Sequence, residues 1–126
     1  MIVLDANVLI SYWGEPDAHT DDALDILDTE EDLILHPVTL AESLVGPVRV
    51  GVEDDAMEDL SRLGVERYSP LMDEPIHVAR LRATTKLKLP DTYVLATAIT
   101  LDATLATFDR RLADAARAHD VAVVGA

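Results

Sequence analysis

The chain has 126 residues, of which 49% are hydrophobic and 27% are charged, a balance that is typical of a globular protein. It contains no cysteine, which excludes disulfides, thiolate catalysis and zinc–thiolate sites. No apolar run approaches the roughly 18 residues that a membrane helix needs. The opening segment MIVLDANVLI lacks the basic start and the cleavage site of a signal peptide. We therefore expect one domain over residues 1–126, located in the cytoplasm.

Short apolar runs alternate with longer helical segments along the chain. The runs are apolar at successive residues, which is typical of strands in a parallel sheet that is covered on both faces. Strands are predicted at residues 2–4, 33–35, 65–68, 103–108 and 121–124. Helices are predicted directly after the first strand and at residues 17–29, 38–45, 51–63, 74–87, 91–102 and 109–118. The segment 38–45 is expected to stop there because Gly46 and Pro47 terminate helices.

Strands that alternate with helices predict an α/β fold with a parallel sheet and right-handed crossovers. In such a sheet, ligands bind beyond the carboxyl ends of the strands. Asp5 directly follows the first strand, and Asp109 follows the fourth. Glu42 lies early in the helix after the second strand, and Asp91 opens the helix before the fourth. If the first and fourth strands are neighbours, Asp5 and Asp109 end side by side, and the other two acids can lean in from flanking helices.

Each of these acids also has an ordinary structural interpretation. Asp91 and Asp109 stand where helix N-caps are common, and Glu42 taken alone resembles a solvated helix residue. Asp5 is harder to explain in this way, since it separates two apolar runs. The joint pattern, with one acid at each of four positions facing a single sheet edge, favours a functional cluster.

Carboxylates that converge must hold a proton or a cation. Two unit charges about 4 Å apart repel by about 4 kcal/mol at an effective dielectric of about 20. The four positions include no His or Cys, so every ligand is an oxygen, and such a set favours Mg²⁺ or Mn²⁺. A site of this kind activates water and stabilises charge on a phosphate, which suggests phosphodiester hydrolysis.

Four short motifs contain these acids: Asp5-Ala6-Asn7, Val38-Thr39-Leu40-Ala41-Glu42, Leu89-Pro90-Asp91 and Thr107-Phe108-Asp109. In this order and spacing they resemble the acidic motifs of PIN domains. The short chain is most similar to the VapC-type toxins of toxin–antitoxin pairs, and the resemblance covers nearly its whole length. One departure is Leu112, where relatives often have an aromatic residue.

The resemblance implies a single PIN-like ribonuclease domain with a five-stranded parallel sheet in the order 3-2-1-4-5. It also implies Mg²⁺- or Mn²⁺-dependent cleavage of RNA, a cognate antitoxin that silences the enzyme, and a homodimer. By position, the catalytic and metal-binding acids are Asp5, Glu42, Asp91 and Asp109. The polar positions beside the first and last of them are Asn7 and Thr107.

The charge of the chain opposes nucleic-acid binding. There are 24 acidic residues against 10 basic ones, a formal net charge of −14, whereas nucleic-acid binding normally relies on positive charge. The basic residues near the motifs are therefore candidates for contacting an RNA backbone; they are Arg82, Lys86, Lys88, Arg110 and Arg111. The alternative interpretation is that residues 80–86 form a solvated helix face that balances an acidic surface.

Two other functions are compatible with this pattern. One is a phosphoryl-transfer domain with an aspartyl nucleophile on a similar fold, although Asn7 stands where such enzymes place a second acid. The other is a catalytically silent PIN-like binding module. Tyr12 and Trp13 are interpreted as packing or dimer-contact residues, and Tyr93 as a packing residue. The four histidines share no motif and receive no catalytic role.

Overall fold

Five short strands form one parallel sheet in the computed structural model of the chain, which describes residues 1–126. The strands are β1 (Ile2–Leu4), β2 (Leu33–Leu35), β3 (Val65–Arg67), β4 (Thr104–Ala106) and β5 (Val123–Val124). Their order across the sheet is β3-β2-β1-β4-β5, and each neighbouring pair is parallel. The predicted α/β fold, with a parallel sheet in the order 3-2-1-4-5, is confirmed.

Seven helices flank this sheet. They are α1 (Ala6–Trp13), α2 (Thr20–Leu27), α3 (Pro37–Arg49), α4 (Glu53–Arg62), α5 (Glu74–Thr85), α6 (Leu89–Leu101) and α7 (Arg110–Ala118). None of them combines the length and the apolar character that crossing a membrane requires.

The helix α3 continues past its predicted end. It runs through Gly46 and Pro47 to Arg49, so the prediction that this pair terminates the helix is wrong. A proline ring clashes with the Cβ of a preceding helical residue, and Gly46 has no Cβ. Pro47 also lies in the last turn, where its missing N–H removes a single helix hydrogen bond. The helix therefore accommodates the Gly46-Pro47 pair. Only the three residues 50–52 are left to connect α3 to α4.

Other helix ends differ from the prediction by one to three residues, and two of them have a clear local reason. Helix α2 begins at Thr20 rather than at residue 17 because Asp17 organises a turn before it. The Asp17 carboxylate accepts the N–H of His19 at 2.7 Å, and the Asp17 N–H donates to Oγ1 of Thr20 at 2.9 Å. Helix α5 ends at Thr85, two residues before its predicted end, because Lys86 takes a left-handed conformation with φ of 60°.

The apolar residues of β1 pack on both faces of the sheet. Val3 belongs to a buried cluster that includes residues of α5, α6 and α7, whereas Ile2 and Leu4 belong to a second cluster with residues of α1, α2 and α4. Burial on both faces explains why every residue of β1 is apolar. Leu112 is fully buried in the first cluster. The position where relatives often have an aromatic residue is therefore a core position here.

The pairing of β1 with β4 brings together residues from opposite ends of the chain. Leu4 lies opposite Ala106, and the N–H of Asp5 donates to the carbonyl of Ala106 at 2.9 Å. Because parallel strands run in the same direction, the residues that follow them emerge at the same edge of the sheet. We call this edge the carboxyl edge, and it contains the candidate site.

Candidate active site

Asp5 is buried at the carboxyl edge, where two hydrogen bonds hold its carboxylate. Oδ1 accepts the N–H of Ala6 at 2.8 Å, and Oδ2 accepts the hydroxyl of Thr107 at 2.8 Å. The side chain also serves as the N-cap of α1, and the residue is only 4% exposed. The orientation of Asp5 is therefore set by the strand-to-helix junction on one side and by the segment after β4 on the other.

Asn7 and Thr107 connect the two segments that follow β1 and β4. Oγ1 of Thr107 accepts the side-chain N–H of Asn7 at 3.3 Å and the backbone N–H of Asp109 at 3.0 Å. Oδ1 of Asn7 accepts the N–H of Phe108 at 3.3 Å. The structure thus places both polar residues beside Asp5 and Asp109, where the motifs predict them.

The four predicted acids lie close enough for their charges to interact. Burial, with smaller effects from the charges of Asp91 and Glu42, raises the pKa of Asp5 to about 6, although the hydrogen bond from Thr107 opposes this shift. Partial burial of the carboxylate, and then the charge of Asp91, raise the pKa of Glu42, although the residue as a whole is exposed. Burial and then the charge of Asp109 raise the pKa of Asp91. Asp91 therefore lies within electrostatic range of each of the other three acids.

The ordinary structural interpretations hold for some of these acids. Asp109 is the N-cap of α7, and its Oδ1 accepts the N–H groups of Arg111 at 2.8 Å and Leu112 at 3.3 Å. Asp91 is the third residue of α6 and not its cap, because the helix begins at Leu89. Glu42 is exposed on α3. Capping therefore accounts for Asp109 in part, whereas nothing in its local structure accounts for Asp91.

The donor chemistry of this group fits a hard divalent cation. The carboxylates supply only oxygen, and Oγ1 of Thr39, one helical turn before Glu42, is buried without a hydrogen-bond partner. No three His, Cys, Asp or Glu side chains are arranged as a ready site for an ion. Carboxylates that raise one another's pKa repel, so they separate unless a cation or a proton offsets their charge. Binding an ion would therefore require these side chains to move towards one another.

Two of the five candidate basic residues act on the acidic group. Lys88 and Arg111 each lower the pKa of Asp91, against the larger raising effects of burial and Asp109. The Arg111 guanidinium also donates to the carbonyl of Lys86 at 3.1 Å, which joins the start of α7 to the connection between α5 and α6. The remaining candidates are exposed side chains; they are Arg82, Lys86 and Arg110.

A groove of about 760 Å³ between α1, α3 and α4 was not predicted. Its lining includes Ile10, Trp13, Val45, Val50 and the site acid Glu42. The indole N–H of Trp13 donates to Asp59 at 2.9 Å, so this residue packs α1 against α4, in line with its interpretation as a packing residue. The signal for the groove is the apolar run VGPVRVGV, which looks like a loop but forms the end of α3 and the connection to α4.

The role of His36 was also not predicted from the sequence. It is 2% exposed and is the N-cap of α3, with ring Nδ1 accepting the N–H of Val38 at 3.0 Å. This bond leaves the proton on Nε2, which lies 3.0 Å from a carboxylate oxygen of Glu74 on α5. The ring also packs against Tyr93 of α6, with 4.9 Å between ring centroids. His36 therefore joins α3 and α6, the two helices that contain Glu42 and Asp91.

The PIN domain family model matches residues 2–118, and the chain therefore belongs to the PIN domain family. PIN domains are typically metal-dependent nucleases. The matched region includes all four acidic motifs and all five basic candidates. A search of curated proteins found no match.

Solved structures narrow the similarity to toxin-type PIN domains. A toxin–antitoxin complex from Klebsiella pneumoniae matches with a TM-score of 0.73 and 26% identity, over 86% of this chain and 87% of that chain. FitAcB from Neisseria gonorrhoeae matches with a TM-score of 0.69 and 27% identity, over 98% and 96%. VapBC2 from Rickettsia felis, bound to a promoter DNA fragment, shares the fold, with a TM-score of 0.72 and 17% identity over 98% of each chain. The resemblance to VapC-type PIN domains is confirmed.

The raised pKa of Asp5 predicts a pH-dependent gain in stability for Asp5→Asn. A folded-state pKa of about 6 against an ordinary value of 3.8 means that ionisation of Asp5 opposes folding. This penalty is absent below about pH 4 and complete above about pH 7. With chelator present, the free energy of unfolding of Asp5→Asn should exceed that of wild type by up to about 3 kcal/mol at pH 8, and the difference should shrink towards pH 5.

Urea denaturation at several pH values measures this difference. Asp25→Asn is a matched control, because Asp25 is exposed on α2 and lies outside the acidic group. A difference between Asp5→Asn and wild type that does not change between pH 5 and pH 8 would contradict the electrostatic description of the site.

Proposed function

We propose that the chain is a Mg²⁺- or Mn²⁺-dependent endoribonuclease and the toxin of a type II toxin–antitoxin pair. The observation that carries this proposal is the placement of the four acids, which come from four separate segments and lie within electrostatic range at the carboxyl edge, where Asp91 interacts with each of the other three. Membership of the PIN domain family supports the same chemistry. An all-oxygen donor group of this kind is typical of sites that hydrolyse phosphodiesters.

In this proposal Asp5, Glu42, Asp91 and Asp109 hold the divalent cation. A bound cation supplies Lewis-acid activation of water and stabilises the charge that develops on the scissile phosphate. Asp5 is the most constrained of the four acids, because it is buried and both of its carboxylate oxygens accept a hydrogen bond. Asn7 and Thr107 orient the segments that contain Asp5 and Asp109.

The basic candidates guide the phosphate backbone of RNA to this site. Lys88 and Arg111 are the best placed, since both act electrostatically on Asp91. The other candidates would extend this positive charge, because Arg111 donates to the carbonyl of Lys86, Arg110 precedes Arg111 in the chain, and Arg82 lies one helical turn before Lys86. A local cluster of this kind attracts phosphate even though the net charge of the chain is −14, because charges beyond about 10 Å are screened at ordinary ionic strength.

The groove between α1, α3 and α4 is the surface that we assign to the antitoxin. Most of its lining surface is apolar, although charged residues also contribute to it, and because Glu42 is one of them a polypeptide bound there would lie against the candidate site. The acidic surface of the chain favours a partner segment with basic residues. Toxin–antitoxin complexes among the similar structures support a partner of this kind. Location in the cytoplasm and assembly into a homodimer are parts of the same proposal.

Purified chain, free of any partner, should cleave RNA when Mg²⁺ or Mn²⁺ is present, and chelator should stop the reaction. Asp5→Asn and Asp91→Asn should each lower the cleavage rate by about a hundredfold or more and weaken Mn²⁺ binding in calorimetry, because each removes a ligand charge. Asp25→Asn should change neither quantity. Cleavage by Asp5→Ala at the wild-type rate would contradict the assignment. RNA binding by the wild-type chain without cleavage would identify a catalytically silent binding module instead.

Charge reversal at Lys88 and Arg111 should weaken RNA binding about tenfold at low salt and flatten its salt dependence by about one logarithmic unit per lost phosphate contact. Mn²⁺ affinity should not fall, because neither residue is a ligand. Fluorescence anisotropy with labelled RNA measures the effect. Reversal of Arg62, which is paired with Glu58 on α4, is the control. If the variant with both charges reversed binds RNA as tightly as wild type does, Lys88 and Arg111 do not contact RNA.

Acidic substitutions in the groove should prevent antitoxin binding. In the test, the chain is co-expressed with the product of the neighbouring reading frame. Co-purification detects the complex, and calorimetry measures its affinity. Val45→Asp with Val50→Asp should weaken binding about thirtyfold or more, because a charge in an apolar interface is left without a partner. Met72→Asp, at an exposed apolar residue outside the groove, is the control. Retention of the partner by the groove variant would contradict the assignment, and light scattering of the free chain tests the homodimer.

A further inference from the structure

His19 lies flat on Phe108 near the candidate active site. The two ring centroids are 4.5 Å apart, and the ring planes differ by 9°. His19 is exposed and Phe108 is partly buried, so the pair is a stack whose outer member faces solvent. The imidazole contacts the phenyl ring of Phe108 with its ring face. Phe108 therefore covers one face of the His19 ring, and the other face is open to a ligand.

The stack is located at the carboxyl edge. Phe108 stands between Thr107, which donates to Asp5, and Asp109, and its own N–H is bonded to Asn7. Because His19 rests on Phe108, the turn before α2 reaches the same edge as the four acids. Lys88 and Arg111 act on Asp91 from α6 and α7, whereas His19 approaches the edge from the α1–α2 connection.

Both members of the stack are held in place by the surrounding structure. A Cβ at Gly125 would lie 3.2 Å from Cδ1 and Cε1 of Phe108, so the C-terminal segment packs against the phenyl ring. On the other side, the Asp17 carboxylate accepts the N–H of His19 at 2.7 Å and the hydroxyl of Ser11 at 3.2 Å. The stack is therefore formed before any ligand arrives, which limits the entropy that binding would cost.

We infer that His19, supported by Phe108, stacks a nucleobase of single-stranded RNA beside the cleavage site; this inference rests on the proposed endoribonuclease function. Unpaired bases stack on aromatic side chains, histidine included. Stacking needs no positive charge, so it provides affinity that a chain of net charge −14 gains poorly from phosphate contacts. A base on His19 and phosphates near Lys88 and Arg111 would hold the strand at two points near the acids.

The test measures binding of a labelled single-stranded RNA by fluorescence anisotropy with chelator present, and its cleavage with Mn²⁺. His19→Ala should weaken binding about fivefold to a hundredfold, as expected for the loss of one stacked base. His19→Phe, which retains an aromatic face, should bind within about threefold of wild type. His77→Ala, on α5, is the control and should not change binding. His19 is exposed, so these variants should keep the wild-type circular dichroism spectrum.

A set of RNAs with one abasic nucleotide each identifies the stacked base. At one position, loss of the base should weaken binding to wild type, and His19→Ala should cause no further loss. Equal affinity of wild type and His19→Ala for intact RNA overturns the inference. The inference is also overturned if His19→Ala weakens binding by the same factor for every abasic RNA, because the imidazole would then contact the backbone. Cleavage of intact RNA by wild type tests the endoribonuclease proposal separately, and its absence overturns both.

Discussion

The parallel pairing of β1 with β4 is the contact on which the candidate site depends. It brings Asp5 next to Thr107, 102 residues further along the chain, and their hydrogen bond closes the junction at 2.8 Å. Asp109 then caps α7 two residues after Thr107, so the same junction sets the direction of that helix. A change in this register would reverse which side chains face the core, because alternate residues of a strand point to opposite faces.

The acidic group opposes the stability of the domain that contains it. Burial and the neighbouring charges disfavour ionisation of Asp5, so the folded state without a cation retains electrostatic repulsion. Apolar packing on both faces of the sheet offsets that repulsion. A cation that binds to these carboxylates would reduce their repulsion. Functional sites commonly lower the stability of the fold in this way.

The surface around the site divides into regions of different chemistry. Lys88 and Arg111 lie on the α6 and α7 side, the His19–Phe108 stack lies on the side of the α1–α2 connection, and the apolar groove meets the site at Glu42. Glu42 therefore belongs both to the proposed catalytic group and to the proposed partner surface. A protein bound in the groove would change the environment of that carboxylate directly, without a conformational change elsewhere in the fold.

The sequence by itself determined the strands, most helices, the strand order through the motif resemblance, and the positions of the four acids at strand and helix ends. These features follow from local patterns of apolar and polar residues, which act over a few positions. Only the tertiary structure decided that His36 joins three helices and that His19 rests on Phe108. Such contacts join residues far apart in sequence, so their geometry depends on how whole elements pack and not on the pattern within any one of them.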